Sequence, residues 1–137
     1  MRFLDTNVLL YAIDRSEAER SKSEIARSIL DERDLALSVQ VLQEFFVQAT
    51  RPSRPDALSY LQAKKFVDAF SRFHVQTLTL PLVQAALQAH HRFQISYWDA
   101  AIIEGARFSQ CHTVLSEDLN DGQDYGGVRV LNPFAAP

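Results

Sequence analysis

The sequence predicts an α/β protein in which a central, mostly parallel sheet of short strands lies between two layers of helices, a three-layer α/β/α arrangement. Three observations lead to this prediction. Short apolar segments alternate with longer segments of helical periodicity, which is typical of parallel sheets covered on both faces. All four glycines lie beyond residue 104, so most of the chain is free to be helical. A length of 137 residues with 47% apolar content fits one domain, residues 1–137.

The first part of the chain is predicted to contain two strands, each followed by a helix. Residues 2–4 are a short apolar segment typical of a buried strand, and helical turns follow at 8–13. Residues 17–32 carry spaced apolar residues among many charges, which favours an amphipathic helix with one face in solvent. A second apolar strand at 35–37 precedes a helix at 39–50 with apolar residues at helical spacing.

Proline then divides the middle of the chain. Two prolines within 51–55 end the preceding helix, because proline lacks an N–H and restricts the residue before it. A helix is predicted at about 56–73, and the alternating pattern of 75–80 favours a strand. Pro81 suits the first position of the next helix, which runs to about residue 93.

The last part of the chain is predicted to contain one helix and two strands. Ser96 and Asp99 have the spacing of a capping box, and the helix they open continues to about residue 108. Short apolar segments at 113–115 and 128–131 are the final strands of the sheet.

The bulk properties exclude several classes of protein. The single cysteine, Cys111, allows no internal disulfide and no cysteine-based zinc site. No apolar run approaches the roughly 20 residues of a membrane span, and an early acid interrupts any secretory signal segment. We therefore expect a cytoplasmic protein with no membrane contact. The net charge of −3 disfavours nucleic acid as a partner, although residues 51–75 are net basic and residues 93–137 net acidic.

Four acidic residues occupy positions where ligands gather in parallel α/β sheets. Asp5 and Asp118 each lie just beyond a predicted strand, and Glu44 and Asp99 lie in early turns of predicted helices. Because ligands bind beyond the carboxyl ends of parallel strands, we expect the four carboxylates to converge. Carboxylates at one place repel one another unless cations compensate them. Oxygen ligands favour Mg²⁺ or Mn²⁺, so the sequence predicts a metal site able to activate water against a phosphodiester.

Each acid also has an interpretation that needs no catalytic function. Asp5 is placed to cap a helix, Asp99 to complete a capping box, and Asp118 to be solvated in an acidic loop. Glu44 lies among apolar residues, where an unpaired acid is costly. The joint placement of the four acids, and none of them alone, favours an active site.

Four segments around these acids form one ordered pattern: Phe3–Leu10 (FLDTNVLL), Ser38–Phe45, Tyr97–Ile102 (YWDAAI) and Leu115–Leu119 (LSEDL). Its most specific parts are the opening Asp-Thr-Asn and the Asp-Ala-Ala motif. The pattern resembles the PIN domain, and most of all the stand-alone VapC-type toxins of bacterial toxin–antitoxin pairs. The resemblance covers essentially the whole chain in order.

The resemblance implies a PIN-like fold and an endoribonuclease that uses Mg²⁺ or Mn²⁺. It also implies an RNA substrate, a homodimer and inhibition by a VapB-like antitoxin. The family's metal-binding acids correspond to Asp5, Glu44, Asp99 and Asp118, which are the predicted catalytic residues. The polar residues expected to support them are Thr6, Asn7, Ser116 and Asn120.

One position departs from the family pattern. Many PIN domains have a second aspartate two residues after the last motif acid, where this chain has Asn120. An amide oxygen can still accept one bond, but it carries no charge. We therefore expect one strong metal site, with a second that binds weakly or is completed by Glu117 or Asp121.

Other side chains are weaker candidates for substrate contacts. Tyr97 and Trp98 can stack on bases, although packing in the core or at the start of their helix is the favoured interpretation. Four basic residues are candidates for RNA phosphate contacts, and an ordinary solvated surface explains them equally well. They are Arg51, Arg54, Lys64 and Lys65.

Three alternatives remain beside the toxin. One is a phosphatase or phosphotransferase with Asp5 as nucleophile, which usually needs an acid at the position held by Asn7. The second is a PIN-like interaction module without catalysis, and the third is a housekeeping RNA-processing nuclease. The sequence does not name the RNA or the antitoxin, because recognition of single strands and loops depends on shape and stacking.

Overall fold

Five parallel strands form the centre of the computed structural model, which describes residues 1–135, and the strand order is β3-β2-β1-β4-β5. Helices cover the sheet, so the predicted α/β/α fold class is confirmed. The elements are β1 (Arg2–Leu4), α1 (Thr6–Ile13), α2 (Arg20–Leu30), β2 (Leu35–Ser38), α3 (Val39–Ala49), α4 (Tyr60–Phe70), β3 (His74–Gln76), α5 (Leu80–Phe93), α6 (Tyr97–Phe108), β4 (Thr113–Leu115) and β5 (Arg129–Leu131). The last two residues of the predicted domain, 136–137, lie outside the described part.

The sheet is buried on both faces, as its apolar composition predicts. Phe3 and Leu4 of β1 are fully buried, and so are the central residues of β2 and β4. Helix α6 approaches this core closely at Gly105, because a Cβ there would lie 3.2 Å from the Phe3 ring. The small residue therefore lets α6 settle against the sheet, and this brings the start of α6 to the edge of the sheet.

The middle of the chain differs from the prediction at two places. The helix predicted at 56–73 spans only Tyr60–Phe70. Asp56 has a φ of 58°, which a helix does not accommodate, and Ser59 opens the helix with a capping box to Gln62. The early start of the prediction was therefore wrong.

The strand predicted at 75–80 was also too long, because pairing with β2 ends at Gln76. Thr79 is the N-cap of α5, its side chain accepting a hydrogen bond from the Leu82 N–H. The alternation of apolar residues continues beyond the last ladder bond, and the capping threonine decides where the helix starts.

Cys111 is a buried residue, 1% exposed, as expected of a small core side chain. No helix formed by residues 1–135 has both the length and the apolar character needed to cross a bilayer.

Replacing Phe45 by alanine should test the core between α3 and α4. The Phe45 ring is fully buried and packs edge-on against Phe70 with ring centroids 5.1 Å apart. We expect a loss of about 3–5 kcal/mol in the free energy of unfolding, measured by urea denaturation. Val47→Ala on the same helix is the control, since Val47 is 55% exposed and its truncation should cost less than about 0.5 kcal/mol. Equal losses for the two variants would contradict this core.

Candidate active site

The strand order places a crevice between β1 and β4. From β1 the chain proceeds to β2 and β3 on one side, and β4 and β5 lie on the other. Such a point, where the strand order changes direction, is where ligands bind in open α/β sheets. Asp5 and Ser116 directly follow the two strands that flank it. The Asp5 N–H donates to the Leu115 carbonyl at 3.0 Å, which joins the two strand ends.

All four predicted acids line one cleft at this end of the sheet. The cleft has a volume of about 130 Å³. Asp5 comes from the end of β1, Glu44 from α3, Asp99 from α6 and Asp118 from the loop after β4. The remaining lining residues are Thr6, Asn7, Leu10, Gln48, Trp98 and Ile102. Residues far apart in sequence are therefore brought together as the sequence analysis predicted.

Asp5 is the most buried of these acids, with 7% of its surface exposed. Its Oδ1 accepts the Thr6 N–H at 2.7 Å, so it is also the N-cap of α1. Its Oδ2 accepts the Ser116 hydroxyl at 2.7 Å and, at 3.4 Å, the Asn7 amide. Burial raises the pKa of Asp5 to about 6; the charges of Asp118 and Glu44 add to this, and the hydrogen bonds oppose it. The capping role and a role in the cleft thus coexist.

Glu44 is held through both carboxylate oxygens. The Thr6 hydroxyl donates to Oε2 at 2.8 Å, and the Gln40 side-chain amide donates to Oε1 at 2.8 Å. The acid is accommodated on a largely apolar helix because both of its oxygens are hydrogen-bonded. Gln40 was not among the predicted site residues. Its position one helical turn before Glu44 is a spacing that sequence analysis can detect.

Asn7 and Ser116 connect Asp118 to Asp5. The Asn7 amide nitrogen donates to Asp118 Oδ2 at 3.2 Å, and the Asn7 carbonyl oxygen accepts the Glu117 N–H at 3.2 Å. The Ser116 hydroxyl oxygen accepts the Asp118 N–H at 3.1 Å. Thr6, Asn7 and Ser116 therefore lie where polar residues supporting the acids were expected.

Asp99 lies in the first turn of α6, where Ser96 Oγ accepts its N–H at 3.1 Å. The structure shows only this half of the expected capping box. Burial raises the pKa of Asp99; the charges of Asp118 and Glu44 act in the same direction, and a hydrogen bond with Ser96 opposes them. The charges of two other acids of the cleft therefore contribute to the raised pKa of Asp99.

The acids face one another without forming a closed coordination shell. Within residues 1–135, no three Asp, Glu, His or Cys side chains stand close enough together to hold a metal ion as they are placed. What the cleft offers is carboxylate oxygens from four separate elements, two of them with raised pKa values.

The residues considered as replacements for the missing second acid make other contacts. Glu117 accepts hydrogen bonds from the Tyr11 hydroxyl at 2.5 Å and from Lys22 Nζ at 2.6 Å. Burial by itself raises the pKa of Glu117, but these two hydrogen bonds outweigh it and the pKa is lowered. Asp121 accepts the Asn132 N–H, and Asn120 donates to Gln123. Neither Tyr11 nor Lys22 was predicted, because no local pattern links them to a residue about a hundred positions away.

The four basic candidates differ in their distance from the cleft. Arg54 is half-buried, 4.0 Å from Asp14, and lines a neighbouring pocket of about 210 Å³ that shares Asn7 and Asp118 with the cleft. Lys64 is paired with Asp68 at 2.9 Å on the exposed side of α4. Arg51 and Lys65 are exposed. Of the four, Arg54 is the one that borders the cleft.

Trp98 agrees only in part with its favoured interpretation. The side chain was expected to pack in the core or at the start of its helix, and it is 64% exposed and lines the cleft. Packing of this residue in the core is therefore wrong, whereas packing at the start of the helix is found, because the indole lies edge-on against Tyr97.

The chain belongs to the PIN domain family, whose family model matches residues 2–120. No curated protein sequence matches the chain. Its fold is similar to a toxin–antitoxin complex from Klebsiella pneumoniae, with a TM-score of 0.71, 18% identity and coverage of 99% of this chain and 100% of that one. It is similar to FitAcB from Neisseria gonorrhoeae, with a TM-score of 0.70, 19% identity and coverage of 99% and 100%. It is also similar to Mycobacterium tuberculosis VapC20, a toxin that cleaves the sarcin–ricin loop, with a TM-score of 0.67, 17% identity and coverage of 86% and 92%.

The raised pKa of Asp5 predicts a pH-dependent stability in chelator-treated protein. Because its folded-state pKa of about 6 lies above the ordinary value of 3.8, the carboxyl group contributes stability fully below about pH 4. That contribution is lost as the pH rises through 6. Asp5→Asn should remove this dependence and keep the cap. Between pH 4 and pH 7.5, the free energy of unfolding of the variant should therefore rise by on the order of 3 kcal/mol relative to that of wild type.

The measurement is the free energy of unfolding in urea with EDTA, at intervals across this pH range. Asp68→Asn is the matched control, since the Asp68 side chain is 65% exposed and should show little pH-dependent difference from wild type. A difference between Asp5→Asn and wild type that stays constant with pH would show that Asp5 is not the responsible group.

Proposed function

We propose that this protein is a metal-dependent endoribonuclease and the toxin of a type II toxin–antitoxin pair. The observation that carries the proposal is the convergence of Asp5, Glu44, Asp99 and Asp118 on one cleft at the crevice between β1 and β4. Membership of the PIN domain family supports nuclease chemistry at this cleft. The four acids are proposed as both the catalytic and the metal-binding residues.

The donor set of the cleft fits Mg²⁺ or Mn²⁺. All four candidates are carboxylates, and hard cations of this kind prefer oxygen ligands. The raised pKa values of Asp5 and Asp99 reflect burial together with mutual repulsion, which a cation relieves. When bound, such an ion supplies activation of water and stabilisation of charge on a phosphodiester.

The surrounding side chains position the acids for this chemistry. Ser116 and Thr6 hold the two oxygens of Asp5, and Thr6 also holds Glu44 through its hydroxyl. Asn7 restrains Asp118, the most exposed of the acids in this region, by donating to its Oδ2. Thr6 contacts both Asp5 and Glu44, and Ser116 contacts both Asp5 and Asp118. These three acids therefore share one hydrogen-bonded network, whereas Asp99 is held separately by Ser96.

RNA is the proposed substrate, and growth inhibition is the proposed biological effect. Support comes from the structural neighbours, among which VapC20 is described as a toxin that cleaves the sarcin–ricin loop. The toxin–antitoxin complex from Klebsiella pneumoniae, which matches the full length of this chain, supports the same class. Arg54, beside the cleft, is the candidate phosphate contact with the best placement among Arg51, Arg54, Lys64 and Lys65.

The proposed partner is a VapB-like antitoxin. A groove of about 470 Å³ between the end of α1, helix α2 and helix α4 has an apolar floor and arginines at its rim. A partner segment that is amphipathic and acidic complements this surface, because it buries apolar side chains and pairs with Arg15 and Arg72. The apolar floor consists of Ala12, Ile13, Leu30, Leu58, Phe66 and Phe70.

A homodimer and a cytoplasmic location complete the proposal. Leu80 and Leu87 of α5 are 68% and 52% exposed and lie seven residues apart, so they share one helix face. An exposed apolar face of this kind supports association with a second copy. The proposed location is the cytoplasm, because an RNA-cleaving toxin must share a compartment with its substrate.

Replacing Asp99 by asparagine tests the proposed chemistry. The variant keeps the shape of the side chain and the cap at Ser96 but removes one charge from the cleft. We expect RNA cleavage with Mg²⁺ or Mn²⁺ to fall by about 100-fold or more, since loss of even an outer partner of a metal ligand costs 10–100-fold. The readout is cleavage of total bacterial RNA by purified protein. EDTA should abolish wild-type cleavage.

The matched control is Glu24→Gln, an exposed acid of α2 whose partner is Arg20 at 3.4 Å; it should cleave like wild type. Cleavage by Asp99→Asn at the wild-type rate, or cleavage that survives EDTA, would overturn the proposed mechanism. Metal binding without any cleavage would favour the non-catalytic interaction module. Formation of a phospho-aspartate at Asp5 would favour the phosphotransferase.

Expression in a bacterial host separates a toxin from an RNA-processing enzyme. Induced wild-type protein should stop growth within a few doublings because uncontrolled cleavage depletes essential RNA, and Asp99→Asn at the same protein level should not. Colony counts and growth curves give the readout. Normal growth with active wild-type enzyme present would contradict the toxin and favour the housekeeping nuclease.

A further inference from the structure

Trp98 is an exposed aromatic side chain at the mouth of the acidic cleft. It is the only tryptophan of the chain, lies immediately before Asp99 in the first turn of α6, and is 64% exposed. Of the exposed large apolar side chains within residues 1–135, Trp98 alone lines this cleft. Exposed apolar surface is unfavourable in water, so an indole held in this position favours a ligand that covers it.

Hydrogen bonds through Gln40 connect the backbone of Trp98 to one of the acids. The Trp98 carbonyl accepts a hydrogen bond from Gln40 Nε2 at 3.4 Å, and the same amide donates to Glu44 at 2.8 Å. The Tyr97 ring packs edge-on against the indole, with centroids 5.1 Å apart and an interplanar angle of 81°. The backbone of Trp98 is thus tied to α3, which carries Glu44, and the indole itself packs against Tyr97.

The chemistry of the cleft indicates what the indole binds. Among the described residues, the cleft lining contains four carboxylates and neither lysine nor arginine. Phosphate groups therefore gain no direct ion pair from the lining, and the acids repel them until cations are bound. Apart from Arg54 in the adjoining pocket, stacking on an aromatic ring is an attraction for a nucleic acid that needs no bound cation, and it is worth about 5–150-fold in affinity for each base. The ring also tolerates any base, because every base has a π-face.

We propose that Trp98 is a stacking platform for an unpaired base next to the scissile phosphate, and that it selects single-stranded RNA. This inference rests on the proposed ribonuclease function. Stacking on the indole fixes the nucleotide beside Asp99, so the adjoining phosphodiester lies over the acids. A base inside a duplex is already stacked on its neighbours and cannot reach the ring without unpairing. Trp98 is therefore a substrate-binding residue that determines strandedness.

Cleavage kinetics with three substitutions test the role of the ring. For the RNA that wild type cleaves, Trp98→Ala and Trp98→Leu should raise KM by about 5–150-fold with a much smaller change in kcat. Trp98→Phe keeps an aromatic face and should stay within a few-fold of wild type. The control is Tyr60→Ala, an aromatic residue that is 61% exposed on α4 and does not line the cleft; its KM should not change. Since the side chain is exposed, all variants should retain the wild-type unfolding midpoint.

Fluorescence of the single tryptophan provides a readout that does not depend on catalysis. In the Asp99→Asn protein with Mg²⁺, a single-stranded oligo(A) decamer should quench the emission in a saturable manner. The same decamer paired with oligo(U) should quench much less, and a decamer of abasic nucleotides should not quench. Because this titration needs no turnover, it remains informative even when wild type cleaves nothing, in which case the proposed function fails and the stacking role is judged separately.

Several outcomes overturn the proposal. A wild-type KM in Trp98→Ala, or in Trp98→Leu, shows that no aromatic stacking is used. Equal quenching by single-stranded and duplex RNA removes the selection for unpaired bases. Emission that changes with protein concentration and not with RNA shows that a second copy of the chain covers the indole instead.

Discussion

The burial of the Asp5 carboxylate at the end of β1 is the constraint on which the arrangement of the cleft depends. A buried carboxylate is costly unless its oxygens are hydrogen-bonded, and both oxygens of Asp5 are. One donor comes from the start of α1, and the other, Ser116, comes from beyond β4. The cleft can therefore form only when β4 pairs beside β1, so the sheet topology and the site are fixed together.

The buried Asp5 carboxylate also lowers the stability of the folded protein while it contributes a side chain to the cleft. Burial and the nearby charges of Asp118 and Glu44 raise the pKa of Asp5 to about 6, so its ionised form is unfavourable in the folded protein. The fold tolerates this because the strands beneath the cleft are fully buried, including Phe3 and Leu4, which directly precede Asp5. Sites that combine repelling groups with a rigid support are typical of functional centres.

Local patterns predicted most of the fold, and the joint placement of the four acids predicted their convergence, but the predictions failed where distant contacts decide. The strand positions followed from short apolar runs, and Asp5 and Asp99 stood at recognisable helix starts. The start of α4 was missed because the positive φ of Asp56 and the cap at Ser59 override helical periodicity. The contacts of Glu117 with Tyr11 and Lys22 join residues about a hundred positions apart, so no local pattern marks them.

Under the proposed function, the distribution of charge determines which interactions bind RNA at the cleft. Among the described residues, the lining consists of four acidic side chains and otherwise uncharged ones, and Arg54 lies only in the adjoining pocket. Within the cleft itself, substrate affinity then has two sources, cations held by the acids and an aromatic face at Trp98, while Arg54 is placed to contact phosphate from the adjoining pocket. Neither distinguishes one base from another, because cations act on phosphate and stacking acts on any π-face. Selectivity for a particular RNA must therefore come from its shape, which presents an unpaired base beside a phosphate that the narrow cleft admits.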